Sequence, residues 1–315
     1  MAIYKPSELL NFLSELGISP KKGLSQNFLI DGNVIRKIAA TAHLSADDLV
    51  LEIGPGPGSL TEELLMSGAK VIAVEKDRVL AKALERLQSP NRHLEIYCED
   101  ILDFPIEDVF KLALPVGKKA KVIANLPYHI TTPILVKLVQ LTHLFSTVHV
   151  MVQEEVARRF TAQPGTREYG SITLFLSFYC DCRYGFMVKK SCFYPEPKVN
   201  SAIVELKLKE PPYVSNQEAF FKTTRTAFSK KRKMLRSSLK DLYGSAKVTE
   251  ALEQLKLNPQ ARPEDLSLTQ WLPLFEQLNQ TTLAAHQEAL DGKGTEYASL
   301  DDFWADMGIE KNKTR

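Results

Sequence analysis

An α/β fold with a mainly parallel sheet, followed by a smaller all-helical part, is what this 315-residue sequence predicts. Three observations predict it. Short apolar, β-branched runs alternate with segments of helical spacing over the first two thirds of the chain. A glycine-rich turn, Gly54-Pro55-Gly56-Pro57-Gly58, closes one of the earliest runs. The strand pattern then stops at Lys209-Glu210-Pro211-Pro212.

After an N-terminal helical stretch, the runs at 49–53, 71–74, 94–97, 122–124 and 148–152 read as short buried strands. Between them, 60–66, 79–87 and 133–139 carry helical spacing. Alternating β and α units imply a mainly parallel sheet covered by helices on both faces. A later pair, 184–188 and 202–207, shows strand alternation and is expected to close the sheet edge as an antiparallel hairpin. Pro211 and Pro212 cannot continue a strand, because proline lacks the N–H donor and fixes φ. Beyond them the pattern is helical to about Leu278. Phe228, Leu235, Leu239 and Leu242 stand at offsets of 7, 4 and 3, which predicts one face of a helix. The expected domains are 1–210, the α/β part with an N-terminal helical segment; 211–280, helical; and 281–315, a mobile tail. Ser299 and Asp302 ahead of Phe303-Trp304 predict one short capped helix in that tail.

Apolar residues make up 44% and charged residues 25%, an ordinary globular mixture. No stretch approaches the ~18–20 apolar residues of a membrane helix, so no membrane partner is expected. The start, MAIYKPSELLNFL, lacks a basic leader, an apolar core and a small-residue cleavage site. No signal peptide and a cytoplasmic location are therefore expected. Cys98, Cys180, Cys182 and Cys192 lack paired C-x-x-C spacing, which predicts reduced, mostly buried thiols and no metal site. Net charge is only +2, but nine Lys or Arg fall between Lys222 and Lys247 against one acid, Asp241. Such a local excess suggests a basic face for a polyanion, with Lys230, Lys231, Arg232, Lys233 and Arg236 at its centre.

The glycine turn lies where ligands sit in open α/β sheets, at the carboxyl end of a strand. Glycine there allows a tight turn and close approach of the backbone to a ligand. The next strand ends at Val74 with Glu75, an acceptor for both hydroxyls of a ribose. The third ends in Glu99-Asp100, acids placed to accept from an adenine amino group. Together these describe an adenosine-containing cofactor. A nicotinamide dinucleotide prefers G-x-G-x-x-G, with amides for its pyrophosphate. Here the spacing is G-x-G-x-G, and Pro55 and Pro57 supply no N–H. The turn suits a cofactor without phosphates, such as S-adenosylmethionine.

Asn125-Leu126-Pro127-Tyr128 ends the fourth strand, on the same side of the sheet. An exocyclic aromatic amine is a poor nucleophile because its lone pair is delocalised into the ring. The Asn125 side-chain carbonyl and a backbone carbonyl of the Leu126-Pro127 turn can bind its two hydrogens. That draws the nitrogen toward tetrahedral geometry, while Tyr128 stacks on the base. The work is positioning and electrostatic stabilisation.

The chain resembles the ribosomal RNA adenine dimethyltransferases, over about 21–278. The resemblance rests on Lys21-Lys22-Gly23-Leu24-Ser25-Gln26-Asn27-Phe28-Leu29, the 52–58 turn, Asn125-Leu126-Pro127-Tyr128, the 153–159 segment, Tyr169-Gly170-Ser171 and Phe193-Tyr194-Pro195-Glu196-Pro197-Lys198-Val199-Asn200-Ser201. It implies a seven-stranded, Rossmann-like S-adenosylmethionine-dependent methyltransferase domain with a small all-α C-terminal domain. It also implies N6,N6-dimethylation of two adjacent adenosines near the 3′ end of the small-subunit RNA. The partner it implies is ribosomal RNA in an immature small subunit, met by a monomer. By resemblance, Asn27, Leu29, Gly54, Gly56, Glu75, Asp100 and Asn125 hold the cofactor. Tyr128 and Phe193 sandwich a target adenine drawn from its stack. Lys21 and Lys22 join the basic run as RNA contacts. Two positions depart from the pattern: Ser25, where the small-subunit group usually has glycine, and Glu154, where a basic residue is frequent. Ser25 also looks like the large-subunit dimethylases of macrolide resistance. That target, and an assembly factor in which methylation is secondary, stay open at this point; a nicotinamide oxidoreductase is disfavoured by the loop spacing.

Overall fold

The computed structural model describes residues 3–21 and 26–290. Lys22, Gly23, Leu24 and Ser25, and the helix expected at Ser299, lie outside them. Nine strands form: β1 (Phe28–Leu29), β2 (Leu49–Ile53), β3 (Lys70–Val74), β4 (Leu94–Tyr97), β5 (Ala120–Asn125), β6 (Phe145–Gln153), β7 (Cys180–Val188), β8 (Phe193–Tyr194) and β9 (Ser201–Leu208). Seven make one sheet in the order β4-β3-β2-β5-β6-β9-β7, and β1 pairs with β8 in a separate antiparallel ribbon. From β4 through β6 every pairing is parallel; β9 runs antiparallel to both β6 and β7.

The chemistry of the sequence explains the centre of this sheet. β2 reads Leu-Val-Leu-Glu-Ile and is buried along its whole length, as a strand covered on both faces must be. The helices Gly32–Thr41 and Ser59–Met66 cover one face. Ile35, Ile38, Leu60 and Leu64 pack there with Val50, Ile123, Met151 and Ile203 in one apolar cluster. Asp31 and Asp77 start the helices Gly32–Thr41 and Arg78–Ala83 by accepting from the exposed N–H groups of their first turns. The chain proceeds from β2 outward to β3 and β4, then returns to β5 on the other side of β2. The strand order therefore reverses between β2 and β5. In such sheets the crevice outside the strand ends at that reversal is where ligands bind.

The expected strand positions hold, with the fourth and fifth longer than predicted. The late hairpin also forms, but of its two strands β9 lies inside the sheet and only β7 stands at an edge. The chain divides into two compact units. One runs through Tyr213 and takes in Pro263–Leu268; the other holds Val214–Arg262 and the chain from Thr269. In the second unit, Trp271, Phe220, Phe275 and Leu235 are fully buried, with Phe220 edge-on to Phe275 at 5.5 Å.

Three expectations need correction. Phe228, Leu235, Leu239 and Leu242 do not share one helix. The helix Gln217–Ser229 ends before Lys230, and Leu235–Ser238 and Lys240–Tyr243 are separate short turns. Four successive cations at 230–233 repel one another along a helix, and Met234 is extended, so the chain turns there. Leu242 is exposed. The last helix, Leu268–Leu290, runs on past Leu278. The cysteines are free as expected, but only Cys180 is buried and Cys98 is exposed. Among the described residues, no helix is long and apolar enough to cross a membrane, and no cluster of three or more metal-ligating side chains forms.

Candidate active site

β2 ends at Ile53 and the chain enters the glycine turn in the left-handed region, with φ of +65° at Gly54, +57° at Gly56 and +85° at Gly58. At Gly58 the reason is steric as well as torsional. A Cβ there would lie 2.7 Å from Leu84 and 2.9 Å from Leu87, inside the packed layer. The Gly54 N–H donates to the Val74 carbonyl at 3.0 Å, which ties the turn to the end of β3.

Glu75 follows β3 and closes on the same turn. Its Oε2 accepts from the Gly56 N–H at 2.9 Å, and its Oε1 from the Asp77 N–H at 2.9 Å. Burial pushes this carboxyl up, against the two N–H groups that favour its ionised form. Asp100, past β4, accepts from the Leu102 N–H at 3.0 Å through Oδ1 and from Lys76 at 2.6 Å through Oδ2. The Lys76 ammonium holds the Asp100 carboxyl below its usual range.

From β5 comes Asn125. Its Nδ2 donates to the Asn27 carbonyl at 3.3 Å, which leaves Oδ1 as its remaining polar atom. The Pro127 carbonyl is taken up by the Ile130 N–H at 3.2 Å and the Thr131 hydroxyl at 3.1 Å. Among the described residues, no backbone N–H bonds to the Leu126 carbonyl. The Tyr128 hydroxyl meets Ser201 Oγ, at the start of β9, at 2.7 Å.

One cleft unites these groups. It encloses about 860 Å³ counted out to its open mouth, solvent space included. Asn27, Gly54, Gly56, Glu75 and Asp100 line it together with Asn125, Leu126, Pro127 and Tyr128. Leu29 lines a smaller cavity behind the turn, with Glu52, Pro55 and Asn125. Phe193 lines neither. It is 3% exposed, pairs with Leu29 across the β1–β8 ribbon and belongs to the apolar cluster under the sheet. Lys21 bonds to the buried Asp77 carboxylate at 2.6 Å. Burial opposes ionisation of Asp77, but Lys21 and the helix N–H groups prevail and keep it below the usual range. In the other unit, Lys230, Arg232 and Lys233 are exposed, Lys231 and Arg236 are half-buried, and Lys230 pairs with Asp241 at 3.1 Å.

Sequence reasoning missed Gln26, Lys76 and His129 in the cleft lining. Lys76 had a weak signal, being next to Glu75, but nothing local shows its reach to Asp100. It also assigned no role to Glu52, which is 1% exposed. Glu52 Oε2 has no hydrogen-bond partner. Burial pushes its carboxyl up to about 8; the Thr61 hydroxyl beside it offsets part of this, and the Glu75 charge adds to it. A raised acid keeps its proton in the folded chain and loses it in the unfolded one between about 4.5 and about 8. Its contribution to stability is therefore full below that window and falls as pH rises through it. Glu52→Gln should leave Tm near wild type at pH 4.5 and raise it relative to wild type at pH 8, measured by calorimetry. An equal offset at both pH values overturns the assignment.

The residues fit a phosphate-free adenosyl group. The Gly56 N–H is committed to Glu75, the two prolines offer none, and Lys76 is committed to Asp100, so little remains for a pyrophosphate. The seven-stranded order and the cleft at its reversal point define a methyltransferase of the Rossmann-like α/β class. A family model described as ribosomal RNA adenine dimethylase matches residues 18–280. The chain belongs to the ribosomal RNA adenine dimethylase family.

Its relatives include a ribosomal RNA small subunit methyltransferase A of Protochlamydia amoebophila, 60% identical over 88% of this chain and 98% of that one. A protein of the same name from Chlamydia caviae is 47% identical over 89% and 99%. Among solved structures, a dimethyladenosine transferase from Plasmodium falciparum superposes with a TM-score of 0.69 at 28% identity, covering 81% of this chain and 98% of that one. The 23S rRNA methyltransferase ErmE gives 0.62 at 28% identity, covering 80% and 100%.

Proposed function

We propose that this chain carries two methyl groups from S-adenosylmethionine to the exocyclic nitrogen of each of two adjacent adenosines near the 3′ end of small-subunit ribosomal RNA, in a cytoplasmic, immature subunit and as a monomer. The observation that carries the chemistry is the commitment of Asn125 Nδ2 to the Asn27 carbonyl. It fixes the amide so that a carbonyl oxygen, not an NH2, is left to meet an amine. The Leu126 carbonyl supplies the second acceptor, and the ring of Tyr128 a stacking face held by Ser201. When bound, the cofactor would supply an electrophilic methyl on a sulfonium; each transfer would break that S–CH3 bond, leave the sulfur as a neutral thioether and release one N–H proton of the amine to solvent. Glu75 binds its ribose, Asp100 its adenine, and the glycine turn lets the backbone approach its methionine end. The two acceptors take the hydrogens of the amine, bring its lone pair out of conjugation and stabilise the charge that develops on nitrogen. Phe193 is paired with Leu29 and buried in the apolar cluster, so the stacking face in this reading is that of Tyr128.

The small-subunit target is supported by the names of relatives that match over nearly their full length, at 60% and 47% identity. The test is to incubate the protein with labelled cofactor and each purified subunit from cells lacking the modification, then to map modified nucleotides by mass. Two neighbouring dimethyladenosines in the small-subunit RNA are expected. Label confined to the large-subunit RNA overturns the target.

The helical unit, 211–280 by the sequence reading, then serves as an RNA-binding element through Lys230, Lys231, Arg232, Lys233 and Arg236, with Lys21 and Lys22 on the α/β part. Each phosphate contact adds about 0.7–0.9 to the slope of log affinity against log salt. A Lys231→Ala, Arg232→Ala, Lys233→Ala triple variant should lower that slope by about 2–3. An unchanged slope, read by filter binding over a salt series, removes these residues from the interface.

A further inference from the structure

The helix Thr131–Val139 begins three residues after Tyr128, so the turn that carries the amine acceptors runs straight into it. Near its end, Lys137 turns its ammonium on the loop that follows Asp100. Nζ donates to the Leu102 carbonyl at 2.8 Å, the Phe104 carbonyl at 3.0 Å and the Ile101 carbonyl at 3.1 Å. An ammonium has three donors, and three backbone carbonyls take all of them. The same loop is closed from the other side by Asp100: its carbonyl accepts from the Asp103 and Phe104 N–H groups, and its Oδ1 from Leu102. Phe104 anchors the loop in the core, 1% exposed and edge-on to Tyr97 at 4.9 Å. Three carbonyls converging on one point repel each other unless a cation holds them. Asp100 and Ile101 line the cleft on one side of this link, and Asn125 to Ile130 on the other.

We infer that Lys137 is a positioning residue of this enzyme: by cross-linking the Asp100 loop to the helix that follows Asn125-Leu126-Pro127-Tyr128, it fixes the purine acceptor of the cofactor relative to the notch that holds the target amine. The inference deepens the proposed function and rests on it. Lys137 touches neither cofactor nor base; it acts through the shape of the 101–104 loop and so through Asp100. Its positive charge also contributes to keeping Asp100 ionised.

A double-mutant cycle tests this. Lys137→Met removes the donors and keeps much of the stem. It should raise the Kd for S-adenosylmethionine about tenfold, the scale of one lost charge-assisted hydrogen bond, and leave affinity for the small subunit unchanged. In an Asp100→Ala background the same change should cost less than about twofold, because the acceptor that Lys137 positions is gone. A merely structural role predicts equal losses in both backgrounds; that result, or no loss in either, overturns the inference. If Lys137→Met does not fold, Lys137→Gln, with two N–H donors for three carbonyls, takes its place in the cycle. A wild-type protein that binds no S-adenosylmethionine sinks the functional reading and this inference with it, whereas wild-type binding with an additive cycle sinks the inference alone.

Discussion

Asn125→Ala is expected to lower the rate of methyl transfer roughly 10²–10³-fold, the range seen when one preorganised polar partner of a transition state is removed. In the proposed function the amide of Asn125 does two jobs: Nδ2 is tied to the Asn27 carbonyl, as the structure has it, and Oδ1 serves the substrate amine. Alanine removes the acceptor that pulls the amine out of conjugation, and it frees the Asn27 segment at the same time. Glu75 and Asp100, the other proposed anchors of the donor, are untouched. Single-turnover transfer should therefore collapse while the Kd for S-adenosylmethionine rises by less than about tenfold, the worth of one hydrogen bond. Asn125→Asp separates the two jobs. A carboxylate keeps an acceptor for the amine but has no N–H for Asn27. It should retain more activity than alanine. Equal rates for the two variants would mean that the acceptor is not what matters at this position.

Gly58→Ala is expected to be the most damaging single-methyl change in the glycine turn, costing about 2–5 kcal/mol. Forcing an L-residue into the left-handed region costs about 1–2 kcal/mol, and overpacking a filled site adds about 1–3 kcal/mol. Both apply at Gly58, where φ is +85° and the new Cβ would meet Leu84 and Leu87 at 2.7 and 2.9 Å. Gly54→Ala is the contrast. Its φ is +65°, but the nearest neighbour of a new Cβ is the Asn125 carbonyl at 3.9 Å. Only the torsional cost applies to its folding, while the added methyl occupies cleft space. Urea titration with parallel cofactor binding should show Gly58→Ala losing stability and Gly54→Ala losing affinity. The reverse ranking would show that the packing under the turn yields more readily than these distances imply.

Much of this architecture is legible in the sequence because its determinants are local. A continuous apolar run such as 49–53 followed by three alternating glycines announces a buried strand and its turn, and both form where expected. Acids immediately after the next two strands end up on one cleft because parallel strands bring their carboxyl ends to the same side. What the sequence hides is contact across distance. Lys76 reaches Asp100 over 24 residues, Lys137 the Leu102 carbonyl over 35, and Lys21 Asp77 over 56. No spacing rule reports such pairs. The basic run misled in a different way. Its flanking leucines keep helical offsets through 230–234, but periodicity does not register that a stretch of adjacent cations is a poor helix interior. Phe193 stands between the two cases: its motif placed it near the site, while its burial against Leu29 follows from a two-residue ribbon too short to be seen in advance.

The placement of β9 has a further consequence, for the order in which the chain leaves the ribosome that makes it. β6 emerges with one edge bare, and β7 follows it well before β9; yet β9 must slide between them, antiparallel to both. Until 201–208 has been translated and inserted, Tyr128 has no Ser201 to hold its hydroxyl, so the proposed stacking face is unfinished on every nascent chain. An unpaired β6 is also the segment most open to capture by a neighbouring chain during that interval. Pulse-labelled synthesis with strong overexpression should accordingly favour aggregates that trap the chain before β9 docks.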